Sequence, residues 1–285
     1  KTERLQEKLQ KLREQMRQLD GLKEQLKSLP DGQVSLTDPD ARSMATQAKG
    51  SGVVGYNVQT AVDAKHHLIV AHEVTNVGND RAQLHHMACA AEQAMGGENL
   101  QAFADRGYFS GPQLKACEDA GITTFVPKPM TSNAKAEGRF DKEDFVFDAQ
   151  KQQYRCPAGS WLKYRFTSDE KGGRIHRYWS SDCPSCPIRD KCTPSSYRRI
   201  SRYDHEESLE RMQRRMDLNP ELMRIRRATV EHPFGTLKHW MGASHFLTRG
   251  LDRVRTEMSL HVLAYNMRRV LNIMGVKGLI EAINA

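Results

Sequence analysis

No stretch of this sequence approaches the roughly 18 consecutive apolar residues that a membrane-crossing helix needs, and the mean hydropathy is clearly negative. A soluble chain is expected. The start holds no short apolar run with a cleavage site. Lys1, in place of a Met, leads straight into a charged helical pattern, so the sequence reads as a fragment of a longer chain. Cysteine is scarce at six in 285 residues, too few for a disulfide-dense secreted scaffold, and a reducing cytosol fits best. Acids are in deficit, 35 Asp and Glu against 43 Lys and Arg, a formal charge of +8. That excess favours a polyanionic partner, with nucleic acid first among the candidates. The 38% of hydrophobic residues can fill the core of one large domain or two ordinary ones.

The positive charge is concentrated. From Lys151 to Tyr203 twelve Lys and Arg face four acids, so this stretch carries the whole excess. It also holds Tyr154, Trp161, Tyr164, Phe166, Tyr178, Trp179, Tyr197 and Tyr203. Cations interleaved with aromatics suit a surface that stacks bases and holds phosphates; the same aromatics also suit the core of a small β-rich insertion.

The spacing of Leu5, Leu9, Leu12, Met16, Leu19 and Leu26 among charged residues predicts an amphipathic or coiled-coil linker helix over residues 1–30, stopped by Pro30-Asp31-Gly32. Gln33–Met44, Tyr56–Asp63 and Leu68–Thr75 read as three strands of a meander. Asp80 and Gln83 form a capping-box start for a helix ended by Gly96-Gly97. A strand over Leu100–Ala104, a helix opened by Ser110 and Pro112 and closed by Gly121, and a strand over Ile122–Val126 follow. A cysteine-bearing basic insertion occupies 131–221, and helices return over 222–285. The most apolar of these, Val254–Met274, is expected to be buried around much of its circumference. The order β-β-β-α-β-α-β over 31–130 is that of an α/β, ribonuclease H-like mixed sheet with flanking helices. Fold alone does not decide function.

Function must come from side chains. Asp105 closes the fourth strand and precedes Gly107, the position at which open α/β sheets place ligands. On the expected first strand, Asp38 and Asp40 share a face, and the strand period of two cannot choose between them. Asp63 sits at a strand-joining tip, where Asp is a common turn former. In the late helical segment Arg227, Glu231 and Lys238 fall near one face and Val230, Phe234, Leu237 and Met241 opposite it, while Pro233 must kink the helix or begin it. Such an acid among cations is either a site carboxylate or a surface ion pair.

The cysteines form a separate set. Cys156 precedes Pro157, and Cys183, Cys186 and Cys192 follow with short chelating spacing. Four thiolates suit a structural Zn²⁺; an iron–sulfur cluster and four free thiols are the alternatives.

The stretches TDPDARSM, GYNVQTAVDAKHHLIVAHEVTN, ADRGYFS, GITTFVPKP, VEHPFGTLKHWMG, HFLTRGL and EMSLHVLAYN together resemble the blocks of bacterial insertion-sequence DDE transposases, in particular the group named for insertion sequence 1182. The resemblance implies a catalytic triad of Asp38, Asp105 and Glu231 that holds two Mg²⁺ or Mn²⁺ ions. It also assigns Arg227 and Lys238 to a Tyr-Arg-Glu-Lys signature that contacts DNA phosphates. The Tyr position of that signature is Arg224 here. The implied reaction is attack of water on a phosphodiester at an element end, then attack of the freed 3′-hydroxyl on target DNA. The implied partners are element ends, target DNA and, in the active complex, further copies of the chain; none is a membrane. Two rivals stay open at this stage: a non-catalytic DNA-binding or assembly protein derived from a transposase, and a nuclease that cuts without joining.

Overall fold

The computed structural model describes residues 2–29, 31–44, 52–129, 133–170 and 172–284. In chain order the elements are α1 (Thr2–Ser28), β1 (Arg42–Met44), β2 (Val53–Gly55), β3 (Asn57–Val62), β4 (Ile69–Thr75), α2 (Leu84–Met95), β5 (Gln101–Phe103), α3 (Gly111–Asp119) and β6 (Thr123–Phe125). Then come β7 (Val146–Asp148), β8 (Gln153–Arg155), β9 (Trp161–Glu170), β10 (Gly173–Trp179), β11 (Ile200–Tyr203), α4 (Glu206–Leu218), α5 (Leu222–Gly235) and α6 (Leu251–Ile283). They form two compact units: Lys1–Asp80 with Gln93–Met95 and Arg224–Ala285, and Arg81–Glu92 with Gly96–Met223.

In the first unit, α1 follows the predicted heptad spacing, yet Leu5, Leu9, Leu12, Met16 and Leu19 are all exposed. The helix ends at Ser28; Pro30 of the expected stop signal lies outside the described residues. The expected first strand, Gln33–Met44, contracts to β1, which pairs antiparallel with β2. Asp38 and Pro39 explain the loss. The Asp38 carboxylate and carbonyl accept the N–H groups of Asp40 and Ala41, and Pro39 has no N–H for a ladder, so the segment turns where it was expected to extend. β3 and β4 form the predicted hairpin, with Asn57 opposite Thr75. Asp63 has the expected turn role, accepting N–H bonds from Lys65 and His66 at 3.2 and 2.6 Å.

α6 lies on β4 and buries Val254, Met258, Val262 and Tyr265 with Ile69, Val74 and Leu237. Hydrogen bonds fix the contact. Asn266 brackets Ile69, accepting from its N–H at 3.0 Å and donating to its carbonyl at 2.8 Å, while Arg269 Nε donates to the His66 carbonyl at 2.7 Å. The helix is not enclosed as its composition predicted: Leu260 and Leu263 remain 62% and 57% exposed. A two-stranded hairpin is narrow and covers only the stripe that repeats every three to four residues. Asp80 corrects another expectation. Its Oδ1 accepts from Asn57 Nδ2 at 2.8 Å and Gln59 Nε2 at 2.7 Å, whereas α2 starts without a side-chain cap. The buried Gln59 amide needs that partner, and the first turn of α2 is served instead by Gln113, whose Oε1 accepts the His85 N–H at 3.0 Å.

In the second unit, β5 and β6 are parallel neighbours, and α2, α3 and α4 bury Leu84, Ala88, Leu114, Cys117 and Met212 around Ala104, Ile122 and Val126. The inserted segment builds a five-stranded antiparallel sheet in the order β11-β10-β9-β8-β7. Its own core is Phe145, Tyr154, Leu162, Tyr178 and Ile200. Tyr203 joins this sheet to the start of α3. Its ring lies so close to Gly111 and Gly173 that a Cβ at either glycine would come within 2.9 or 2.7 Å of it. The expected single mixed sheet is not formed as one ladder: among the described residues β1–β2, β3–β4 and β5–β6 are separate two-stranded pairs.

Candidate functional site

Asp38 is buried at the start of α6. Tyr56 Oη donates to its Oδ2 at 2.8 Å, and the Gly250 N–H reaches both carboxylate oxygens at 3.2 and 3.3 Å. Burial works to raise the carboxyl pKa. The Tyr56 hydroxyl, the Gly250 and Asp40 N–H groups and the nearby Arg249 charge outweigh it and hold Asp38 below its ordinary range. The Tyr56 phenol is pushed up by its own burial and by the same carboxylate. Asp40, which the strand period could not separate from Asp38, accepts the Leu251 N–H at 2.9 Å instead. Both acids therefore meet the unpaired N–H groups of a helix start, where negative charge is stabilised. Gly250 makes this approach with a positive φ of 84°, a conformation that costs other residues a Cβ clash. Tyr56, Arg249 and Gly250 carried no signal in the sequence that linked them to Asp38.

Asp105 stands one residue beyond the buried Ala104, at the carboxyl end of β5. Its Oδ1 accepts the Gly107 N–H at 2.8 Å and caps the short 3₁₀ turn Arg106–Tyr108. Asp105 thus has a turn-capping role, and the same bond fixes the direction of its carboxylate. Asp105 belongs to the second unit, and Asp38 and Glu231 to the first.

Glu231 is exposed on α5. Among the described residues its carboxylate makes no ion pair, with Arg227 and Lys238 included; Lys238 Nζ instead sits 5.8 Å from the Phe234 ring centre, within cation–π range. Pro233 neither begins nor ends the helix. It lies inside α5, which then widens into a π-turn over Thr236–Trp240, a distortion found often at functional sites. The buried seam runs through Thr229, Pro233 and Leu237, one residue away from the expected Val230 and Phe234. Burial suits both new members: Pro233 has no N–H to satisfy, and the Thr229 hydroxyl donates to the Ile225 carbonyl at 3.0 Å. Beside Glu231, His232 Nδ1 pairs with Tyr265 Oη at 3.0 Å, and Tyr265 Oη donates to the His67 carbonyl at 2.6 Å. Burial, with the Arg269 charge and His67, holds the His232 pKa below the usual imidazole value. The His232–Tyr265 bond thus ties the Glu231 turn of α5 to α6.

The inserted sheet divides its aromatics. Tyr154 and Tyr178 are core, while Tyr164 and Phe166 on β9 are about half exposed at 50% and 49%. Arg165 and Arg199 lie over Trp179, and Lys151 lies over Trp161. Tyr154 and Tyr178 thus take the core role, while Tyr164 and Phe166 keep exposed faces. Cys156, Cys183, Cys186 and Cys192 line one cavity of about 30 Å³. Among the described residues, no three His, Cys, Asp or Glu side chains already stand in metal-ligand geometry, and no helix is long and apolar enough to cross a membrane.

A family profile described as "Transposase DDE domain" matches residues 29–267. Comparison with curated proteins and with solved structures gave no match.

Proposed function

The chain belongs to the transposase DDE-domain family, and on that premise we propose that Asp38, Asp105 and Glu231 are its acidic triad for cleaving and joining DNA strands. The observation that carries this reading is the extent of the match, 29–267, which takes in all three acids together with Arg227 and Lys238. The sequence blocks quoted above support the insertion sequence 1182 group and a ribonuclease H-like core, with the inserted sheet of the second unit as its interruption.

The donor chemistry fits hard divalent cations. The neighbours of Asp38 hold its carboxyl below the ordinary range, Glu231 presents an exposed carboxylate without an ion pair among the described residues, and carboxylate oxygens are the ligands that Mg²⁺ and Mn²⁺ prefer. Bound there, such ions supply an activated attacking oxygen and charge neutralisation at the leaving one. The chain's own residues do the positioning: Gly250 and Tyr56 fix Asp38, Gly107 directs Asp105, and the Tyr265–His232 bond steadies the turn that carries Glu231. Arg227, exposed on the same helix as Glu231, is a planar fork for phosphate oxygens, and Lys238 is a point charge.

DNA is the substrate of this reading. The half-exposed Tyr164 and Phe166 and the cations near them on the inserted sheet suit backbone and base-stacking contacts. The exposed Leu and Met stripe of α1 favours assembly with further copies of the chain in the active complex.

The test is cleavage and strand joining on an element-end duplex with Mg²⁺. Asp105→Asn and Glu231→Gln are each expected to abolish both steps while DNA binding stays within a few-fold of wild type. Cleavage retained by either variant refutes the triad. Cleavage without joining of a supplied 3′-hydroxyl end supports the nuclease rival. No metal-dependent cleavage by the intact chain supports the non-catalytic one.

A further inference from the structure

We propose that the cavity between Cys156, Cys183, Cys186 and Cys192 is a structural Zn²⁺ site with four thiolate ligands, separate from the acidic triad.

The backbone presents each cysteine at a tight turn. Cys156 opens one closed by its carbonyl to Gly159 N–H at 2.8 Å and by its own N–H to the Ser160 carbonyl at 3.0 Å. Cys186 N–H donates to the Cys183 carbonyl at 3.3 Å, and Cys192 N–H donates to the Arg189 carbonyl at 2.8 Å. Thus segments about 30 residues apart in sequence deliver four thiols to one small space. All four are free of disulfides and none is fully buried, which sets them apart from a cysteine used as a small core side chain, such as the fully buried Cys117.

Two features of the surroundings call for negative charge there. Arg198 lines the cavity, and its Nε is buried without a hydrogen-bond partner among the described residues; a metal-bound thiolate supplies the missing acceptor. Arg189 lines the cavity too. A divalent ion with four thiolates has two negative charges in excess; Arg198 offsets part of this charge, while Arg189 shares its own with Asp190 at 3.7 Å.

Three closely spaced thiols, Cys183, Cys186 and Cys192, with Cys156 as a fourth from a separate turn, form the ligand pattern of a structural zinc site. The thiols surround the cavity without yet being closed into ligand contact, so zinc binding draws them in to metal–sulfur distances of about 2.3 Å. Closure cross-links the 156–160 and 183–192 turns at the edge of the core around Phe145, Tyr154 and Leu162, against which Cys156 and Cys192 already pack.

The experiment uses the intact chain, purified from cells supplied with both zinc and iron. Elemental analysis is expected to find about one zinc per chain and no iron. Stepwise reaction of the wild-type thiols with a mercurial reagent is expected to release that zinc to a chromophoric chelator. Exchange with Co²⁺ is expected to give the absorption of a thiolate-bound tetrahedral ion. Cys183→Ser and Cys192→Ser should lose the metal, and Cys89→Ser, outside the site, should keep it. The release and Co²⁺ measurements need no variant, so a substitution that prevents folding does not protect the proposal. Absence of zinc, iron with visible charge-transfer absorption, or zinc that stays bound after the thiols have reacted would each overturn it.

Discussion

Removing the Tyr56 hydroxyl is the most direct probe of how the first unit holds Asp38. In Tyr56→Phe the ring keeps its edge contact with Phe246, so packing changes little and the loss is the 2.8 Å hydrogen bond to the Asp38 carboxylate. A hydrogen bond to a charged group is worth about 1.5–3 kcal/mol. The remaining donors, Gly250 and Asp40 N–H, are longer at 3.2–3.3 Å and compensate only in part, so a cost of about 2 kcal/mol is expected. Because the chain forms two units, the measurement is best made locally, by native-state hydrogen exchange of the amides at the start of α6, beside Gly250 and Leu251. There about 2 kcal/mol appears as a roughly 30-fold faster exchange. A double-mutant cycle with Asp38→Asn should return a coupling of about 1 kcal/mol or more. The pH dependence has a defined sign. The folded-state pKa of Asp38 is lowered, so its stabilisation is complete above the unfolded value of about 3.9 and is lost as pH falls through the folded value. The difference between wild type and Tyr56→Phe should therefore narrow in acid. Coupling within a few tenths of a kcal/mol of zero, or a difference that does not change with pH, would refute the charge-assisted latch.

Two further outcomes concern the second unit. Tyr164→Ala and Phe166→Ala should each weaken binding to single-stranded DNA by about 1–3 kcal/mol, roughly five- to 150-fold, in fluorescence anisotropy at fixed salt; unchanged affinity in both would remove β9 from the DNA face. Gly173→Ala places a Cβ 2.7 Å from the Tyr203 ring and should lower unfolding stability by about 1–3 kcal/mol through overpacking, and a variant with wild-type denaturation would show that Tyr203 does not wedge the sheet against α3.

Features fixed by residues within a few positions of one another were legible from the sequence. Asp63 makes its turn with Lys65 and His66, and Gly96 takes the left-handed conformation that ends α2. The Cys183–Cys192 spacing brings three thiols to one place, and the quoted blocks mark a family that the match over 29–267 bears out at the level of the DDE domain. Local steric and hydrogen-bonding rules act over such distances, so composition and spacing carry them. What the tertiary structure decided depends on partners far along the chain. The strand period puts Asp38 and Asp40 on one face and cannot choose between them; Tyr56 and, more than 200 residues away, Gly250 and Leu251 give them different bonds. The apolar composition of α6 is nearly even around its axis, and the narrow β3–β4 hairpin chose which stripe to bury. On α5 the seam settled on Thr229 and Pro233 because one had a carbonyl for its hydroxyl and the other had no N–H to satisfy. Periodicity shows that a helix has a buried side, but packing against a particular neighbour, whose position depends on the whole chain, decides which side that is.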